Sequence, residues 1–292
     1  MRIAVVGLGG VGGYIGAKFC FLKNEDEIIF IARGKHLQAI KDKGLKLIDV
    51  EDENYYQPTL ACETYDKALD IIFLCTKSYH SKSALKNLSK AITDKTIVIP
   101  IANGVDSIPS LQNLTPAKLI DACVYIVSHK LDEGVIKKST NVFALILPEE
   151  LETLLASRLE KAGLRTKFAV DIKKEVWKKY LFISAMGTMT SFYGKGMGSI
   201  YKENNEELKN VLKEIFSVAQ AEGIKLEEKE MDKALHTASK LPLDAPTSLW
   251  LDFQNSTYNE HETICTYIVK TAQAHKIEVP LMQNMNKKLS GK

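Results

Sequence analysis

A glycine-rich segment near the start of the chain restricts the fold to a small set of architectures. Residues 7–12 read Gly7-Leu8-Gly9-Gly10-Val11-Gly12 and fit the pattern G-x-G-x-x-G. The segment directly follows the apolar run Ile3–Val6 and opens a stretch with helical spacing, Gly13–Leu22. In a strand–loop–helix unit the first glycine permits a tight turn, the second lets the backbone approach a pyrophosphate, and the third lets the helix pack on the strand. We therefore expect residues 7–12 to bind a dinucleotide; the alternative is a plain glycine turn in another α/β fold.

Strand-like and helix-like stretches alternate over residues 1–168. Helical spacing occurs at 11–22, 36–43 and 80–91, and β-branched runs lie between such stretches. The strand candidates are Ile3–Val6, Glu27–Ile31, Ile71–Cys75, Thr96–Ile99, Cys123–Val127 and Val142–Leu147. Strands that alternate with helices predict β–α–β units and a parallel sheet with both faces covered. We predict that residues 1–168 form an α/β Rossmann domain with a doubly wound, mostly parallel sheet.

The second part of the chain, residues 169–292, has a helical pattern throughout. Glycine and proline concentrate between the helical stretches, at Gly194–Gly198 and Leu241–Pro246. The predicted helices are Glu175–Met186, Glu206–Glu222, Glu228–Ser239, Ser248–His275 and Met282–Leu289. This part is therefore predicted to be an all-α domain.

Composition excludes several classes of protein. The chain carries 39 basic and 36 acidic side chains, for a net charge of +3, and no basic block that would favour nucleic acid or an anionic membrane. No apolar run reaches the roughly 18 residues of a membrane span, and the N-terminus lacks the apolar region of a signal peptide. The five cysteines show no CxxC pairing, and no metal-ligand spacing is present. We expect a cytoplasmic protein without disulfides or metal; the sequence leaves a homodimer open.

The end of the second predicted strand indicates which nucleotide is bound. Enzymes that bind NAD usually carry Asp or Glu there, about 20 residues past the glycines, to hold the ribose 2′-hydroxyl. In this chain the strand runs into Ala32-Arg33-Gly34-Lys35-His36, which contains no carboxylate. A guanidinium suits a 2′-phosphate through paired, charge-assisted hydrogen bonds. Arg33 therefore predicts NADPH, although a solvated basic turn is the alternative for Arg33 alone.

Short motifs distributed along nearly the whole chain resemble the ketopantoate reductase (2-dehydropantoate 2-reductase) family. Singly they are weak, but they occur together, in order and at family-like spacing. They are the glycine loop, Ala32-Arg33, Cys75-Thr76-Lys77, Ala102-Asn103-Gly104, Glu175-Val176-Trp177-Lys178-Lys179, Thr247-Ser248-Leu249-Trp250-Leu251-Asp252, Asn259-Glu260 and His275-Lys276-Ile277-Glu278-Val279-Pro280.

The resemblance implies a Rossmann domain followed by a helical domain, residues 169–292, that carries substrate-binding and catalytic groups. It also implies an activity and a set of site residues. It implies that NADPH reduces a 2-keto acid to a 2-hydroxy acid, with 2-dehydropantoate (ketopantoate) reduced to pantoate in pantothenate and coenzyme A biosynthesis. It also implies that Lys77 and Asn103 contact cofactor or substrate, that Lys179 donates the proton, and that Glu260 contacts the cofactor. The alternatives are a related 2- or 3-hydroxy acid dehydrogenase with a less polar substrate, and a non-catalytic protein that senses NADPH.

Lys179 is also a proton-donor candidate on chemical grounds. Reduction of a ketone builds negative charge on oxygen, which needs an acid or a cation within hydrogen-bond reach. Lys179 leads into the apolar run Tyr180–Met186 and shares a helix face with Ile183 and Met186. Burial beside apolar groups makes an ammonium a better acid. The alternative is a lysine whose stem covers the core while its charge reaches solvent, and the neighbouring Lys178 is the residue most easily confused with it.

Two further candidates follow predicted strands. Lys77 and Asn103 come just after Ile71–Cys75 and Thr96–Ile99. Ligands of open α/β sheets bind beyond the carboxyl ends of the strands. The site interpretation competes with a solvated loop lysine and an ordinary Asn-Gly turn.

A third candidate lies at a predicted helix start. Ser248 follows the cap candidates Asp244 and Thr247 and is placed where a substrate carboxylate could bind, with simple capping as the alternative. Glu260, twelve residues on, would lie about 18 Å away along a continuous helix. On that geometry Ser248 binds the substrate and Glu260 the cofactor ribose.

The chain departs from the family pattern at three positions. Family members usually carry asparagine four and eight residues after the lysine acid and three before the serine, where this chain has Ile183, Gly187 and Ala245. Sites built on such hydrogen bonds discriminate strongly for a hydroxylated substrate. The reduction chemistry is therefore predicted on broader grounds than the substrate. The histidines are assigned surface or structural roles: His36, His80, His129, His236, His261 and His275.

Overall fold

A computed structural model describes residues 1–50, 52–255 and 258–291. The chain divides into two compact units. The first comprises Met1–Ala102 and Ser107–Ile172, and the second comprises Asn103–Asp106 and Lys173–Lys292. The short segment Asn103–Asp106 therefore belongs with the second unit, although it lies within the sequence of the first.

The first unit alternates strands and helices. Its elements are β1 (Arg2–Val6), α1 (Gly10–Phe19), β2 (Glu27–Ile31), α2 (Gly34–Lys43), β3 (Leu45–Ile48), β4 (Glu53–Tyr56), β5 (Leu60–Cys62), β6 (Ile71–Leu74), α3 (Ser78–Asn87), β7 (Ile97–Pro100), α4 (Ser107–Leu111), β8 (Lys118–Leu119), β9 (Cys123–Asp132), β10 (Val135–Pro148), α5 (Glu152–Lys161) and β11 (Thr166–Ala169). The predicted boundary after residue 168 falls inside β11, and the first unit runs on to Ile172.

Six strands form one parallel sheet in the order β5-β2-β1-β6-β7-β8. Strands β1 and β6 are buried along almost their whole length, as expected for a sheet covered on both faces. The prediction of a Rossmann-type, mostly parallel sheet is confirmed. Four strands predicted from apolar runs correspond to β1, β2, β6 and β7. Their predicted ends lie within a residue or two of the observed ends.

Strands β9 and β10 do not join this sheet, which corrects the expectation for Cys123–Val127 and Val142–Leu147. They form a long antiparallel hairpin in a second sheet, where β10 also pairs with β3 and β11. Only two residues separate β9 from β10, and Gly134 adopts φ +73° there. A connection this short can join only antiparallel strands, because a parallel pair needs a crossover of a dozen or more residues.

Helix α1 packs between the two sheets, and glycine allows the close approach on both sides. A Cβ at Gly12 would overlap the carbonyl oxygen of Gly7 on the side of the parallel sheet. A Cβ at Gly10 would overlap the carbonyl oxygen of Ser128 in β9. The G-x-G-x-x-G pattern accounts for the glycine at position 12. The close contact with the β9–β10 hairpin accounts for the glycine at position 10.

The described part of the second unit contains helices and no strand. They are α6 (Ile172–Tyr193), α7 (Met197–Glu203), α8 (Asn205–Ala221), α9 (Lys229–Ser239), α10 (Ser248–Asn255), α11 (Tyr267–Ala274) and α12 (Pro280–Leu289). Side chains of α6 and α8 form the centre of its core, among them Tyr180, Leu181 and Ile215, all fully buried. Over the described ranges, none of the protein's helices combines the length and the apolar character needed to cross a membrane.

The prediction of one helix over Ser248–His275 is wrong. Helix α10 ends at Asn255, residues 258–260 are not helical, and a π-helical segment, Glu262–Thr266, precedes α11. The 18 Å separation of Ser248 and Glu260 assumed a continuous helix and therefore does not apply.

Candidate functional site

The glycine loop has the geometry that a pyrophosphate requires. Gly7 adopts φ +86°, and its N–H donates to the carbonyl of Ile31 at 3.0 Å. Gly9 is the N-cap of α1 and offers no side chain to the first-turn amide groups, which have no acceptor within the helix. A Cβ at Gly9 would meet nothing within 4 Å, so there is open space beside the loop. Open space next to amide donors at a helix start fits a dinucleotide phosphate.

Arg33 and Lys77 lie at the same edge of the sheet as the glycine loop. In the parallel register Val6 pairs with Ile31 of β2 and with Leu74 of β6, so the loops after these three strands start side by side. Arg33 is exposed and immediately precedes α2, while Lys77 is half-buried and precedes α3. Burial and then the charge of Arg33 lower the pKa of His80 in α3. The guanidinium therefore lies close enough to α3 to act on its first turn.

A second group of predicted residues is joined by hydrogen bonds within the helical unit. The Nζ of Lys179 donates to Oδ1 of Asn103 at 3.0 Å, and Nδ2 of Asn103 donates to Oε2 of Glu260 at 3.3 Å. An ammonium can only donate and a carboxylate can only accept, so the two partners fix which way the Asn103 amide faces. Glu260 is 4% exposed, while Lys179 and Asn103 are half-buried. The structure thus brings together three residues that are distant in sequence.

The three residues come from three different parts of the unit. Lys179 lies on α6, and Asn103 lies in the segment Asn103–Asp106. A Cβ at Gly104 would overlap the side chain of Thr263, so glycine lets this segment approach the chain that follows Glu260.

Two side chains of α6 hold the π-helical segment that follows Glu260. The hydroxyl of Tyr180 donates to the carbonyls of Thr263 and Ile264, at 2.7 and 3.2 Å. Ser184 also donates to the Ile264 carbonyl, at 2.7 Å. Burial raises the pKa of the Tyr180 hydroxyl, which stays protonated and able to donate. Glu260 is therefore positioned by the same helix that carries Lys179.

We expect Tyr180→Phe to lower the free energy of unfolding by about 1–3 kcal/mol, because it leaves the buried Thr263 carbonyl without its hydroxyl donor. Urea unfolding measures the change. Tyr201→Phe on α7 makes the same chemical change at a half-buried position and is expected to cost less. Equal stability of Tyr180→Phe and the natural protein would contradict this account of the π segment.

Lys178, the neighbour of Lys179, has a different partner. Its Nζ pairs with the Glu175 carboxylate at 3.0 Å, one turn earlier on α6. The two adjacent lysines thus lie in different electrostatic surroundings, and only Lys179 bonds to Asn103.

Ser248 lies at the first turn of α10 and is exposed. The cap is Thr247 rather than Asp244: its Oγ1 accepts the N–H of Trp250 at 3.2 Å. The same hydroxyl hydrogen-bonds to Thr190 of α6 at 2.7 Å, which fixes the start of α10 on α6. Ser248 directly follows this anchored threonine, and its part in substrate binding stays a prediction.

The face of α6 that continues from Lys179 is apolar. Ile183 and Gly187 follow Lys179 at spacings of four and eight residues, which places them on one face. A Cβ at Gly187 would lie 3.2 Å from Ile264 Cγ2 and 3.6 Å from Leu249 Cδ2. Hydrocarbon side chains therefore already occupy the surroundings of this glycine.

Sequence reasoning missed three residues that hold the site. Tyr180 was expected only as part of an apolar run, and Ser184 as part of that run or, with Thr188, as a substitute for a missing asparagine. His36 was assigned a surface or structural role, yet its ring bonds to the carbonyl of Leu8 in the glycine loop at 2.8 Å. The position of His36 in the first turn after Arg33 could have indicated that it lies near the nucleotide site. Its second partner, Gly134, is distant in sequence and could not be identified from local spacing.

Both parts of the chain match models of one protein family. The family model described as Ketopantoate reductase PanE/ApbA matches residues 3–146, and the model for the C-terminal part of the same family matches residues 171–292. Together the two matches extend over most of the chain.

Individual proteins resemble the chain over its full length. "Uncharacterized oxidoreductase YkpB" of Bacillus subtilis is 22% identical over 294 residues, which cover 98% of this chain and 96% of that protein. The crystal structure of 2-dehydropantoate 2-reductase from Porphyromonas gingivalis W83 superposes with a TM-score of 0.87 at 28% identity, covering 99% of each chain. A D-mandelate dehydrogenase, in a ternary structure with NADH and anilino(oxo)acetate, shares the fold with a TM-score of 0.87 at 18% identity, covering 100% of this chain and 98% of its own.

Proposed function

The chain belongs to the ketopantoate reductase PanE/ApbA family of oxidoreductases, and from that premise we propose that it reduces a small 2-keto acid to the 2-hydroxy acid with NADPH. Its first proposed substrate is 2-dehydropantoate, reduced to pantoate for pantothenate and coenzyme A biosynthesis. The observation that carries the proposal is the hydrogen-bonded series Lys179–Asn103–Glu260.

Lys179 is the proposed proton donor. The nicotinamide cofactor supplies the hydride when it is bound, so the protein has to position the keto acid and stabilise the charge that develops on its oxygen. The Nζ of Lys179 holds a proton and a positive charge for that oxygen. Asn103 accepts one N–H of this ammonium and so limits where it can point.

Glu260 completes this arrangement by orienting Asn103. Its carboxylate accepts the amide N–H, so that Oδ1 rather than Nδ2 faces Lys179. Glu260 is 4% exposed, and its backbone carbonyl accepts the N–H of Ile264 in the π-helical segment at 2.9 Å. In this proposal Asn103 and Glu260 also contact the cofactor, and Ser248 binds the substrate carboxylate.

The nucleotide half of the cofactor is assigned to the first unit. Gly7, Gly9 and Gly12 form the phosphate loop together with Leu8, Gly10 and Val11. Arg33 is proposed to bind the 2′-phosphate, and Lys77 to contact the cofactor from the start of α3. The proposal of NADPH rather than NADH rests on the exposed guanidinium at the end of β2 and on the absence of a carboxylate from Ala32–His36.

A second candidate substrate is a less polar 2-keto acid. The observation that favours it is the hydrocarbon environment of Gly187, where Ile264 and Leu249 are already within contact distance of an added Cβ. Ile183, on the same face, carries no group that could hydrogen-bond a substrate hydroxyl.

A pair of substrates that differ by one hydroxyl tests the choice. Ketopantoate and trimethylpyruvate have the same carbon skeleton around the keto group, and only ketopantoate carries the hydroxyl. A site built to bond that hydroxyl should favour ketopantoate by about 10⁴ in kcat/KM, whereas an apolar pocket discriminates by about 10² or less. The measurement is the rate of NADPH oxidation with each compound.

The measured rates distinguish three possibilities: ketopantoate as substrate, a less polar 2-keto acid as substrate, and a protein without catalytic activity. A preference near 10⁴ establishes ketopantoate as the substrate, and comparable or faster turnover of trimethylpyruvate establishes the less polar class. Tight NADPH binding without turnover of any 2-keto acid would overturn the enzymatic proposal and favour a protein that senses the nucleotide.

A further inference from the structure

His36 connects the glycine loop to the turn of the β9–β10 hairpin. It is half-buried in the first turn of α2. Its Nε2 lies 2.8 Å from the carbonyl oxygen of Leu8, and its Nδ1 lies 2.9 Å from the backbone nitrogen of Gly134. One imidazole therefore joins two segments that are more than a hundred residues apart in sequence.

The two partners define the protonation state of the ring. The Leu8 carbonyl can only accept a hydrogen bond, so Nε2 must carry the proton. The Gly134 N–H can only donate, so Nδ1 must offer its lone pair. Only the neutral ring with the proton on Nε2 satisfies both contacts.

The contact with Leu8 also orients the next peptide group. In a planar trans peptide the C=O and the N–H point in opposite directions. Since His36 holds the Leu8 carbonyl, the Gly9 N–H is directed away from α2. The loop is held a second time where Ser128 in β9 donates through Oγ to the Gly10 carbonyl at 2.9 Å.

We propose that His36 is a positioning residue of the nucleotide site, which as a neutral ring fixes the phosphate loop against the β9–β10 turn. The inference rests on the proposed function only in that the loop is the site of the dinucleotide. His36 does not touch the nucleotide in this account; it acts through the Leu8–Gly9 peptide.

The charged groups near the ring predict how acid affects it. Burial lowers the pKa of His36 below its ordinary value of 6.5; the Leu8 carbonyl acts to raise it, Lys130 to lower it and Glu133 to raise it. Glu133 Oε2 lies 3.5 Å from Nδ1 and is buried. A second proton on Nδ1 would displace the Gly134 N–H and pair with this carboxylate instead. Protonation of His36 therefore replaces its hydrogen bond from the Gly134 N–H with a contact to the Glu133 side chain.

Acid is expected to reduce the contribution of His36 to stability. Above its unfolded pKa the ring is neutral in both folded and unfolded chains, and its contribution to stability is fully present. As pH falls below about 6.5 the unfolded chain takes up the proton first, and the contribution is lost progressively through the lower folded pKa. NADPH affinity is expected to fall at the acid end of this range, where the folded ring itself takes up the proton and the phosphate loop loses its support.

Three substitutions separate the two bonds. His36→Gln keeps a donor near the position of Nε2, His36→Asn keeps an acceptor near the position of Nδ1, and His36→Phe removes both. We expect His36→Phe to raise the Kd for NADPH about tenfold, His36→Asn to approach it, and His36→Gln to remain nearer the natural protein. His129→Gln, at an exposed position on the same hairpin, is the matched control and should bind normally.

The pH profile distinguishes positioning from a merely structural role. Binding of NADPH is measured from neutral to mildly acid pH in the natural protein and in His36→Gln, at a temperature where both are folded. The 2′-phosphate titrates equally in the two experiments, so the difference between the profiles belongs to His36. We expect the acid weakening to be smaller in His36→Gln, and ¹⁵N NMR of the natural protein at neutral pH to show the neutral ring with its proton on Nε2.

Each result decides the inference. Unchanged NADPH affinity in folded His36→Phe would overturn it and leave the proposed function intact, as would identical pH profiles. A ring protonated on Nδ1 at neutral pH would contradict the assigned tautomer. Absence of NADPH binding in the natural protein would instead remove the proposed function, together with this role for His36.

Discussion

Lys179→Ala is expected to lower kcat for keto-acid reduction by about 10² or more while leaving NADPH binding nearly unchanged. The substitution removes the ammonium that bonds to Asn103, and with it the proposed proton for the developing alkoxide. The loss should appear in kcat and kcat/KM alike, because the interaction is made chiefly in the transition state. Steady-state rates with the preferred 2-keto acid and direct titration of NADPH measure the two effects separately.

Lys178→Ala is the matched control. It removes the same charge one residue earlier, from a lysine that pairs with Glu175 instead of Asn103. We expect its kcat to stay close to that of the natural protein. If Lys178→Ala lost as much activity as Lys179→Ala, or if Lys179→Ala turned over normally, the assignment of the proton donor would be wrong.

Arg33→Ala is expected to raise the Kd for NADPH by about 10- to 100-fold and to leave the Kd for NADH almost unchanged. A hydrogen bond to a charged group contributes about 1.5–3 kcal/mol, and each 1.4 kcal/mol is a factor of ten. Arg33 is exposed, so the effect should lie toward the lower end of that range and shrink as salt is added. Titration of both nucleotides at two ionic strengths provides the measurement.

The control for Arg33 is Lys35→Ala, which removes a nearby exposed charge from the first turn of α2. It should weaken NADPH binding far less, because an ammonium there lacks the paired donors of a guanidinium. The comparison of NADPH with NADH tests whether the guanidinium acts through the 2′-phosphate, which is the group by which the two nucleotides differ. If Arg33→Ala weakened the binding of NADPH and of NADH equally, Arg33 would not be bound to the 2′-phosphate.

The strands of the parallel sheet were predictable because their sequences are nearly continuous apolar runs. β1 and β6 are buried on both faces, and burial of that kind leaves a strong local signal. β4 and β5 gave no such signal, since both are short, β4 is largely exposed and β5 is mostly half-buried. The β9–β10 hairpin was misread because most of β9 after Ile126 is exposed, and its pairing depends on a turn at Gly134 that the apolar pattern does not mark.

The candidate site residues were predicted one by one, from the family resemblance and, for Lys179 and Asn103, also from chemistry and position. Lys179, Asn103 and Glu260 are separated by 76 and 157 positions along the chain, and no local spacing indicates that they meet. The break between α10 and α11 was missed for a related reason. The π segment is stabilised by hydroxyl groups of α6, a tertiary contact that helical periodicity cannot report.

The glycines of α1 have a consequence for the order in which the protein folds. Four of its ten residues are glycine, and each costs an isolated helix about 1 kcal/mol relative to alanine. The segment cannot hold a helix by itself, so it becomes ordered only once the parallel sheet and the β9–β10 hairpin have formed around it. The phosphate loop is therefore among the last parts of the first unit to assemble. Damage to the hairpin, even in strands that never approach a nucleotide, should first appear as lost cofactor affinity in a chain that still keeps most of its secondary structure.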